Sequence, residues 1–368
     1  MDRAARLGVD EDELEEVLEH FTRATYEGRT YQHLSSSFRG IERGTVLLGD
    51  VVVRGFPSIP RVLVLETGIP AYFDGPLAIE EKLNGYNVRI ADVDGVLAFT
   101  RGGHVCPYTT QVARERMALE PFFQAHPEAM LCAEFVGPEN PYTAHEYPEV
   151  DSVGSRIFDV RDRETGTPMP VERRREVLDR FDLPQPDWFG IHDPGAAVAV
   201  VEETIETLAD RGREGVVMQS VDGRDMLKYT TGVQHRKDLA FALSLPFDYG
   251  RDFLFSRLIR EGFQAVEFEE SEAEIRERAH GLGEAILEPM VATIRAVRAG
   301  EPVGERHTIR ASPEAVEGLL DHLAAQGITI EIEAERTVDE DRVVEFVKIS
   351  NATRDKVEYF LEGGTIDE

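Results

Sequence analysis

The chain has 368 residues and a mass of 41.2 kDa, too long for one small core and in the range of two to four modules. Acidic residues outnumber basic ones, 70 to 40, giving a formal net charge of −30 and a pI near 4.7. Hydrophobic residues at 42% exclude wholesale disorder, and there is no run of about 18 apolar residues to cross a membrane.

The N-terminus, MDRAARLGVDEDELEE, lacks the apolar core of a signal peptide. The two cysteines, Cys106 and Cys132, have neither disulfide-scaffold nor metal-ligand spacing. These features predict a soluble, cytoplasmic protein. Only five of the basic residues are lysine: Lys82, Lys228, Lys237, Lys348 and Lys356. An acidic chain so poor in lysine is similar to proteins from salt-loving microbes, where salt screens self-repulsion. Any lysine kept in such a chain merits inspection.

Asp10 to Glu19 is a predicted charged helix with Leu14, Val17 and Leu18 on one face. From Gly44 to Glu66, TVLLGDVVVRG and PRVLVLE are β-branched runs broken by Gly and Pro, and predict strands of a small N-terminal module. LAIEEKL, YNVRIADV and GVLAFTR predict a three-stranded meander. Gln111 to Phe123 predicts a helix, AMLCAEFVG and SRIFDVRD predict strands, and Trp188 in PDWFG predicts a loop anchor. Pro194 to Asp210 predicts a helix. GVVMQS and DMLKYTT predict a hairpin turning at Asp222-Gly223. After Gly232 the chain becomes helical and rich in Phe and Leu, with a break or a start at Pro289. GEPVG, Gly300 to Gly304, predicts a linker. The remainder predicts strand, helix, strand, strand, helix, with a cap at Ser312-Pro313. The modules are thus placed at 1–66, 67–237, 238–300 and 301–368.

The sharpest local feature is Glu80-Glu81-Lys82-Leu83-Asn84-Gly85. A lysine at a strand end, followed by a tight turn, projects its amine into a cleft. Four segments follow in order: Thr100-Arg101-Gly102-Gly103, Glu134 in CAEFVG, Phe158 in RIFDV, and Glu214-Gly215-Val216-Val217 with Leu227-Lys228-Tyr229. Each has a bland reading: Glu134 as a solvent-facing strand residue, Phe158 and Val216 as core, Arg101 as a loop charge, Lys228 as a partner of Asp225. Their joint order is the signal. It resembles the signature of the covalent nucleotidyltransferase superfamily of ATP-dependent DNA and RNA ligases and mRNA capping enzymes. EEKLNGYNVR with TRGG and LKYTT is most similar to the archaeal homodimeric ATP-dependent RNA ligases, the circularising type.

The resemblance implies an α+β fold, an antiparallel-sheet nucleotidyltransferase core, with an N-terminal module, a helical dimerisation segment and a small C-terminal α/β module. It implies ATP as donor, Mg²⁺ (or Mn²⁺) as metal and RNA with 5′-phosphate and 3′-OH ends as substrate. Lys82 would be the nucleophile that takes AMP. Lys228 would hold the α-phosphate and neutralise charge in the transition state. Arg101 and Glu134 would hold the ribose hydroxyls, and Asn87 a phosphate. Phe158 and Val216 would cover the two faces of adenine. Glu134 and Glu214 would place the hydrated metal, a hard ion that prefers oxygen. Glu80 or Glu81 would read the adenine amino group, the choice depending on which faces the cleft.

Two positions depart from the superfamily pattern: Asn84 stands where Asp is frequent, and Met226 where a first lysine of the last motif is frequent. The alternatives are a DNA ligase and a non-ligating nucleotide- or RNA-binding homologue. A helical texture after Gly232, where DNA ligases and capping enzymes carry a five-stranded barrel, argues against the former. Arg54, Arg61, Arg89, Arg101 and Arg236 are candidates for an RNA path.

Overall fold

The computed structural model describes residues 3–143, 145 and 147–366. Helices α1 (Arg3–Leu7) and α2 (Leu14–Glu19) lead into antiparallel strands β1 (Phe21–Tyr26), β2 (Arg29–Leu34), β3 (Val46–Leu48) and β4 (Val51–Val53), paired in that order. The helix expected from Asp10 starts only at Leu14, because Asp10 to Glu13 closes a turn through Glu13 N–H to Asp10 O. PRVLVLE does not form a strand. Arg61 makes a single bridge, and Leu65 opens helix α3 (Leu65–Tyr72), which buries Leu65 and Ile69 four residues apart.

Two four-stranded sheets follow. Their elements are β5 (Leu77–Lys82), β6 (Tyr86–Asp92), β7 (Val96–Thr100), α4 (Pro107–Arg116), α5 (Leu119–Ala125), β8 (Ala129–Val136), β9 (Gly154–Asp162), α6 (Val171–Arg180), β10 (Trp188–His192), α7 (Pro194–Asp210), β11 (Gly215–Ser220) and β12 (Met226–Thr230). One sheet has the order β10-β5-β11-β12 and the other β7-β6-β8-β9, with antiparallel neighbours throughout. The expected meander is therefore not formed. The chain leaves the first sheet at Lys82 and enters the second at Tyr86. A Cβ on Gly85 would lie 2.1 Å from the Phe135 carbonyl oxygen, so only glycine passes there. The helix expected over Gln111 to Phe123 is two helices, parted by extended backbone at Met117. Trp188 opens edge strand β10 rather than anchoring a loop.

Alternation along the first sheet sends Leu77, Ile79, Val216 and Met218 to a core covered by Ala197, Val201, Ile205 and Leu208 of α7. The opposite face carries Glu80, Lys82, Val217, Gln219, Met226 and Lys228 toward a cleft.

Helices α8 (Gly232–Ser244), α9 (Arg251–Glu267) and α10 (Glu272–Ala299) come next. Pro289 lies inside α10 and does not end it; the helix is capped by a Ser271/Glu274 box and stopped at Gly300, φ +74°. The chain ends with β13 (Gly304–Ala311), α11 (Pro313–Ala325), β14 (Ile330–Val338), β15 (Asp341–Ile349) and α12 (Asn351–Leu361), in sheet order β13-β15-β14. Among the described residues no helix is long and apolar enough to cross a membrane.

The C-terminal module shares a core with the second sheet. Val316, Leu319 and Phe346 are buried with Tyr108 and Val112 of α4 and Ile90 of β6. The Tyr108 hydroxyl donates to the carbonyls of Glu139 and Arg310, at 3.0 and 3.2 Å. Leu319 is fully buried in this seam. Leu319→Ala is expected to lower unfolding stability by about 2–5 kcal/mol. Urea denaturation followed by far-UV circular dichroism checks it.

Candidate active site

A cleft open to solvent lies between the two sheets. Its walls bring Glu80, Glu81, Lys82, Asn87, Arg101, Glu134, Phe158 and Lys228 together, along with Phe56, Ile59, Val217 and Gln219.

Lys82 ends β5, and its ammonium donates to Glu214 Oε2 at 2.7 Å and to the Leu83 carbonyl at 3.4 Å. Glu214 sits just before β11, in whose register Gly215 pairs with Lys82. Lys228 faces the same way on β12, opposite Val217, rather than pairing with Asp225. Burial lowers the Lys228 ammonium to about 8, and the neighbouring Arg61 and Lys82 cations push it the same way.

Across the cleft, Asn87 and Glu134 are partners in the β6–β8 register. Glu134 accepts from Gly85 N–H at 3.2 Å. Burial raises its carboxyl to about 7; Glu214 adds to the rise, while Lys82, the Gly85 N–H and Arg101 oppose it. The Asn87 side-chain oxygen is buried without a hydrogen-bond partner.

Phe158 lies at a β-bulge: Cys132 pairs with Asp159 and Ala133 with Ile157, so Phe158 has no partner on β8. The bulge shifts the alternation and points Phe158 and Asp159 both to the cleft, while Ile157 and Val160 stay in the core. Phe56 braces Phe158 edge-on at 5.2 Å.

Three sequence expectations are corrected or resolved here. Val216 does not reach the cleft; it is fully buried against α7, and the next residue, Val217, lines the cavity. The reason is the strand period of two, which puts Val216 and Lys82 on opposite faces. Of the two glutamates, Glu80 shares the Lys82 face and accepts from Arg174 and Arg175 of α6. Glu81 borders the cleft, but its carboxylate lies 3.7 Å from Arg213, on the face away from Lys82, and burial raises the carboxyl to about 7. Arg89 also leaves the list of RNA-path candidates: it is fully buried and donates to the carbonyls of Arg54 and Thr100.

Arg174 was invisible in the sequence. It is fully buried, yet it stands in VERRREVLDR, where nothing marks one arginine from its neighbours. Its guanidinium joins Glu80 to Gln219, at 3.1 Å from the latter, and so ties α6 to the cleft floor.

Known proteins match both the central and the C-terminal parts of this chain. A family model described as RNA ligase matches residues 75–230, and one described as Ligase Pab1020 C-terminal region matches residues 241–364. An uncharacterized protein of Methanocaldococcus jannaschii is 41% identical over 340 residues, which cover 89% of this chain and 86% of that protein. Two solved forms of an archaeal ATP-dependent RNA ligase superpose with TM-scores of 0.92 and 0.91 at 40% identity, covering 99% of this chain and 98% of theirs. The chain belongs to the archaeal ATP-dependent RNA ligase family. A chain from Aquifex aeolicus assigned as an ATP-dependent DNA ligase has TM-score 0.90 at 24% identity, over 97% of this chain and 100% of its own, and shows the same fold.

In this ligase the two departures from the superfamily pattern have structural places. Asn84 donates its backbone N–H to the Tyr147 hydroxyl at 2.6 Å, and Met226 is buried beside Arg161 on the cleft wall.

Glu134 yields a pH prediction. Its folded value near 7 lies above the ordinary 4.5, so the unfolded chain gives up its proton first as pH rises. The resulting destabilisation is absent below about pH 4.5, grows up to about 7 and is complete above it. Glu134→Gln keeps an acceptor for Gly85 but carries no charge. It is expected to be more stable than the parent at pH 8, by up to about 3 kcal/mol, with the gain vanishing toward pH 4.5. Paired denaturation curves across that range check the sign.

Proposed function

We propose that this ligase joins RNA 5′-phosphate and 3′-OH ends, with Lys82 as the residue that carries AMP. The observation that carries the reading is the placement of Lys82 at a strand end on the cleft floor, paired with Glu214 at 2.7 Å and facing the Lys228 wall. In the first step the Lys82 amine attacks the α-phosphorus of ATP. An N–P bond forms, the bond to the β-phosphate oxygen breaks, and pyrophosphate leaves. The amine must lose its proton, and the Glu214 carboxylate is placed to take it. Next, an oxygen of the RNA 5′-phosphate displaces Lys82 from the AMP, giving a 5′-5′ pyrophosphate linkage. Finally the RNA 3′-OH attacks the 5′-phosphorus, AMP leaves, and a phosphodiester remains.

Lys228 and Arg101 supply fixed positive charge to the phosphates, and alignment does the rest. Phe158 and Val217 offer apolar cover for adenine, with Glu80 and the Arg174 cluster along its edge. Asn87, with its unpartnered acceptor, orients a ribose hydroxyl or, through its amide, a phosphate oxygen. Arg101 and Glu134 lie where the ribose would be held.

Among the described residues no three His, Cys, Asp or Glu side chains form a closed metal cage. Mg²⁺ does not need one, since it keeps waters and binds through one or two carboxylates plus substrate phosphates. Glu134 and Glu214 fit that donor set. A bound Mg²⁺ would neutralise phosphate charge.

We also infer that the chain acts as a homodimer. Exposed Phe255, Leu258, Phe263 and Val266 of α9 and Leu287 and Ile294 of α10 leave apolar faces without cover. The units of the reading are residues 1–66, 67–237, 238–300 and 301–368. A cytoplasmic, high-salt setting is part of it, supported by the acidic, lysine-poor composition.

Three outcomes are expected. Lys82→Ala abolishes protein labelling from α-labelled ATP, read on a denaturing gel, but still seals RNA that is already adenylated. Labelling mapped by peptide mass to another lysine would contradict the assignment. ATP labels at least about 10²-fold better than GTP at limiting nucleotide, because hydrogen-bonded edges discriminate strongly. Light scattering in molar salt gives twice 41.2 kDa, and Ile294→Asp shifts it to the monomer mass, since a carboxylate buried without a partner is costly. A monomer mass for the parent at all concentrations would remove the dimer.

A further inference from the structure

The cationic wall of the cleft does not stop at Lys228. Lys82, Gly215 and Thr230 lie in one cross-strand row over β5, β11 and β12. Partners in a row share a face, so Thr230 is on the Lys82 side, two strands away or roughly 10 Å. Between them stands Gly215, with no side chain to fill the gap; a Cβ there would lie 2.2 Å from the Tyr229 carbonyl oxygen. On the outer edge of β12, Arg61 is bridged to Lys228 by Val62 N–H to Lys228 O, at 3.2 Å, and Lys228 N–H to Pro60 O, at 3.0 Å. The Arg61 guanidinium donates to the Thr230 hydroxyl. Beyond it, Arg260 reaches in from α9, and the two arginines line one small pocket with Thr230, His235 and Gln264.

This pair is electrostatically odd. The chain has 70 acidic residues, and the buried Arg161 and Arg174 and the half-buried Arg278 each sit against one. Among the described residues neither Arg61 nor Arg260 forms an ion pair, and the Arg260 guanidinium makes no hydrogen bond. Both are lowered by burial; Arg257 adds to this for Arg61, and Arg61 and Arg257 add to it for Arg260, which falls to about 10. Glu214 and Asp238 are the shared anions that oppose both shifts, and each is already engaged, Glu214 by Lys82 and Asp238 by Arg257. Meanwhile the support beneath them is fully bonded. Thr230 Oγ1 meets His235 Nε2 at 2.7 Å, His235 Nδ1 meets Glu261 at 2.7 Å, and Glu261 meets Arg278. A rigid, satisfied frame thus presents two cations that lack an anion. Arginine forks match phosphate oxygens in number and geometry.

We propose that Arg61 and Arg260 form a phosphate subsite beside Lys228, next to the adenylation cleft, so that helix α9 supplies part of the active site. The proposal rests on Lys82 being the adenylated residue. The group bound is a phosphate next to the one attacked. It comes either from the β,γ end of ATP, which leaves as pyrophosphate, or from the 5′ end of the RNA. Gly215 leaves the floor open for such a group to run from Lys82 toward Thr230.

The test uses the full-length chain with Arg260→Ala, Arg260→Lys and, as a surface control, Arg276→Ala, whose side chain is 78% exposed on α10. Three reactions are measured: labelling by α-labelled ATP over a range of concentration, discharge of the labelled protein by inorganic pyrophosphate, and sealing of pre-adenylated RNA. AMP transfer from the pre-labelled protein to 5′-phosphorylated RNA is followed in parallel. If the subsite holds the ATP end, Arg260→Ala weakens the apparent affinity for ATP and for pyrophosphate by about 10-fold or more. Arg260→Lys recovers part of it, and the loss falls on those two reactions rather than on sealing. If it holds the RNA end, the loss of similar size falls on AMP transfer to RNA. Equal behaviour of Arg260→Ala and the parent in every reaction overturns the proposal. So does a uniform loss accompanied by a lowered melting temperature, which marks a merely structural arginine. Absence of any label on the parent protein would instead refute the reading of Lys82.

Discussion

The cleft depends on one crossing. Between Lys82 and Tyr86 the chain passes from one sheet to the other, and it does so through Gly85, whose missing Cβ lets the backbone lie against the Phe135 carbonyl. The same residue's N–H holds Glu134. A single close approach therefore fixes where β5 ends, where β6 begins and where the Glu134 carboxylate points. Lys82 faces the gap because it is the last residue of one sheet, and Asn87 faces it because it is the second of the other. A side chain at residue 85 would push the two sheets apart and separate the groups that meet there.

Charge is distributed with a purpose on this chain. Four of the five lysines have defined side-chain contacts: Lys82 with Glu214, Lys237 with the Gly212 carbonyl, Lys348 with the Pro141 carbonyl, and Lys356 over Tyr359 and Phe360; the fifth, Lys228, lines the cleft. Lys237 and Lys356 are exposed and keep the surface role that lysine fills in most proteins. Arginine cannot replace lysine at a position that must lose its proton and attack phosphorus. With Lys82 as the proposed carrier of AMP, composition and chemistry together would account for a lysine at residue 82. They also explain why the cations gathered near it stand out against a net charge of −30.

How much of this was legible in the sequence follows physical lines. Contiguous signals were readable: EEKLNG, TRGG, the Asp222-Gly223 turn, and helix α7 with its Pro at the start. The face of a residue within a fully apolar strand was not, because GVV has no alternation to read, and Val216 was taken for its neighbour. The phase of β9 was hidden for a related reason, since a bulge adds one residue without changing composition. Sheet membership was hidden too. Three strands in succession read as a meander unless the crossing glycine is known to admit no Cβ. Arg174 and Arg260 escaped notice because their importance lies in what surrounds them. One is buried against Glu80 and the other is left without an acid, and neither fact is local to its own segment.

The two perturbed groups in the cleft move in opposite senses, and that opposition is informative. Glu134 is held up to about 7 and Lys228 down to about 8, in each case first by burial. Each is charged at some cost in the free protein. A nucleotide phosphate beside Lys228 and a cation beside Glu134 would each supply the opposite charge that the fold withholds. Lys228 would then stay protonated to higher pH and Glu134 ionised to lower pH. Such ligands would widen the interval in which both groups carry charge. By linkage they would also return stability that the empty cleft forgoes. A site built this way is poised for its ligands by its own unfavourable electrostatics, while the cores on either side, with α7 behind one sheet and α4 and α11 behind the other, carry the stability that permits it.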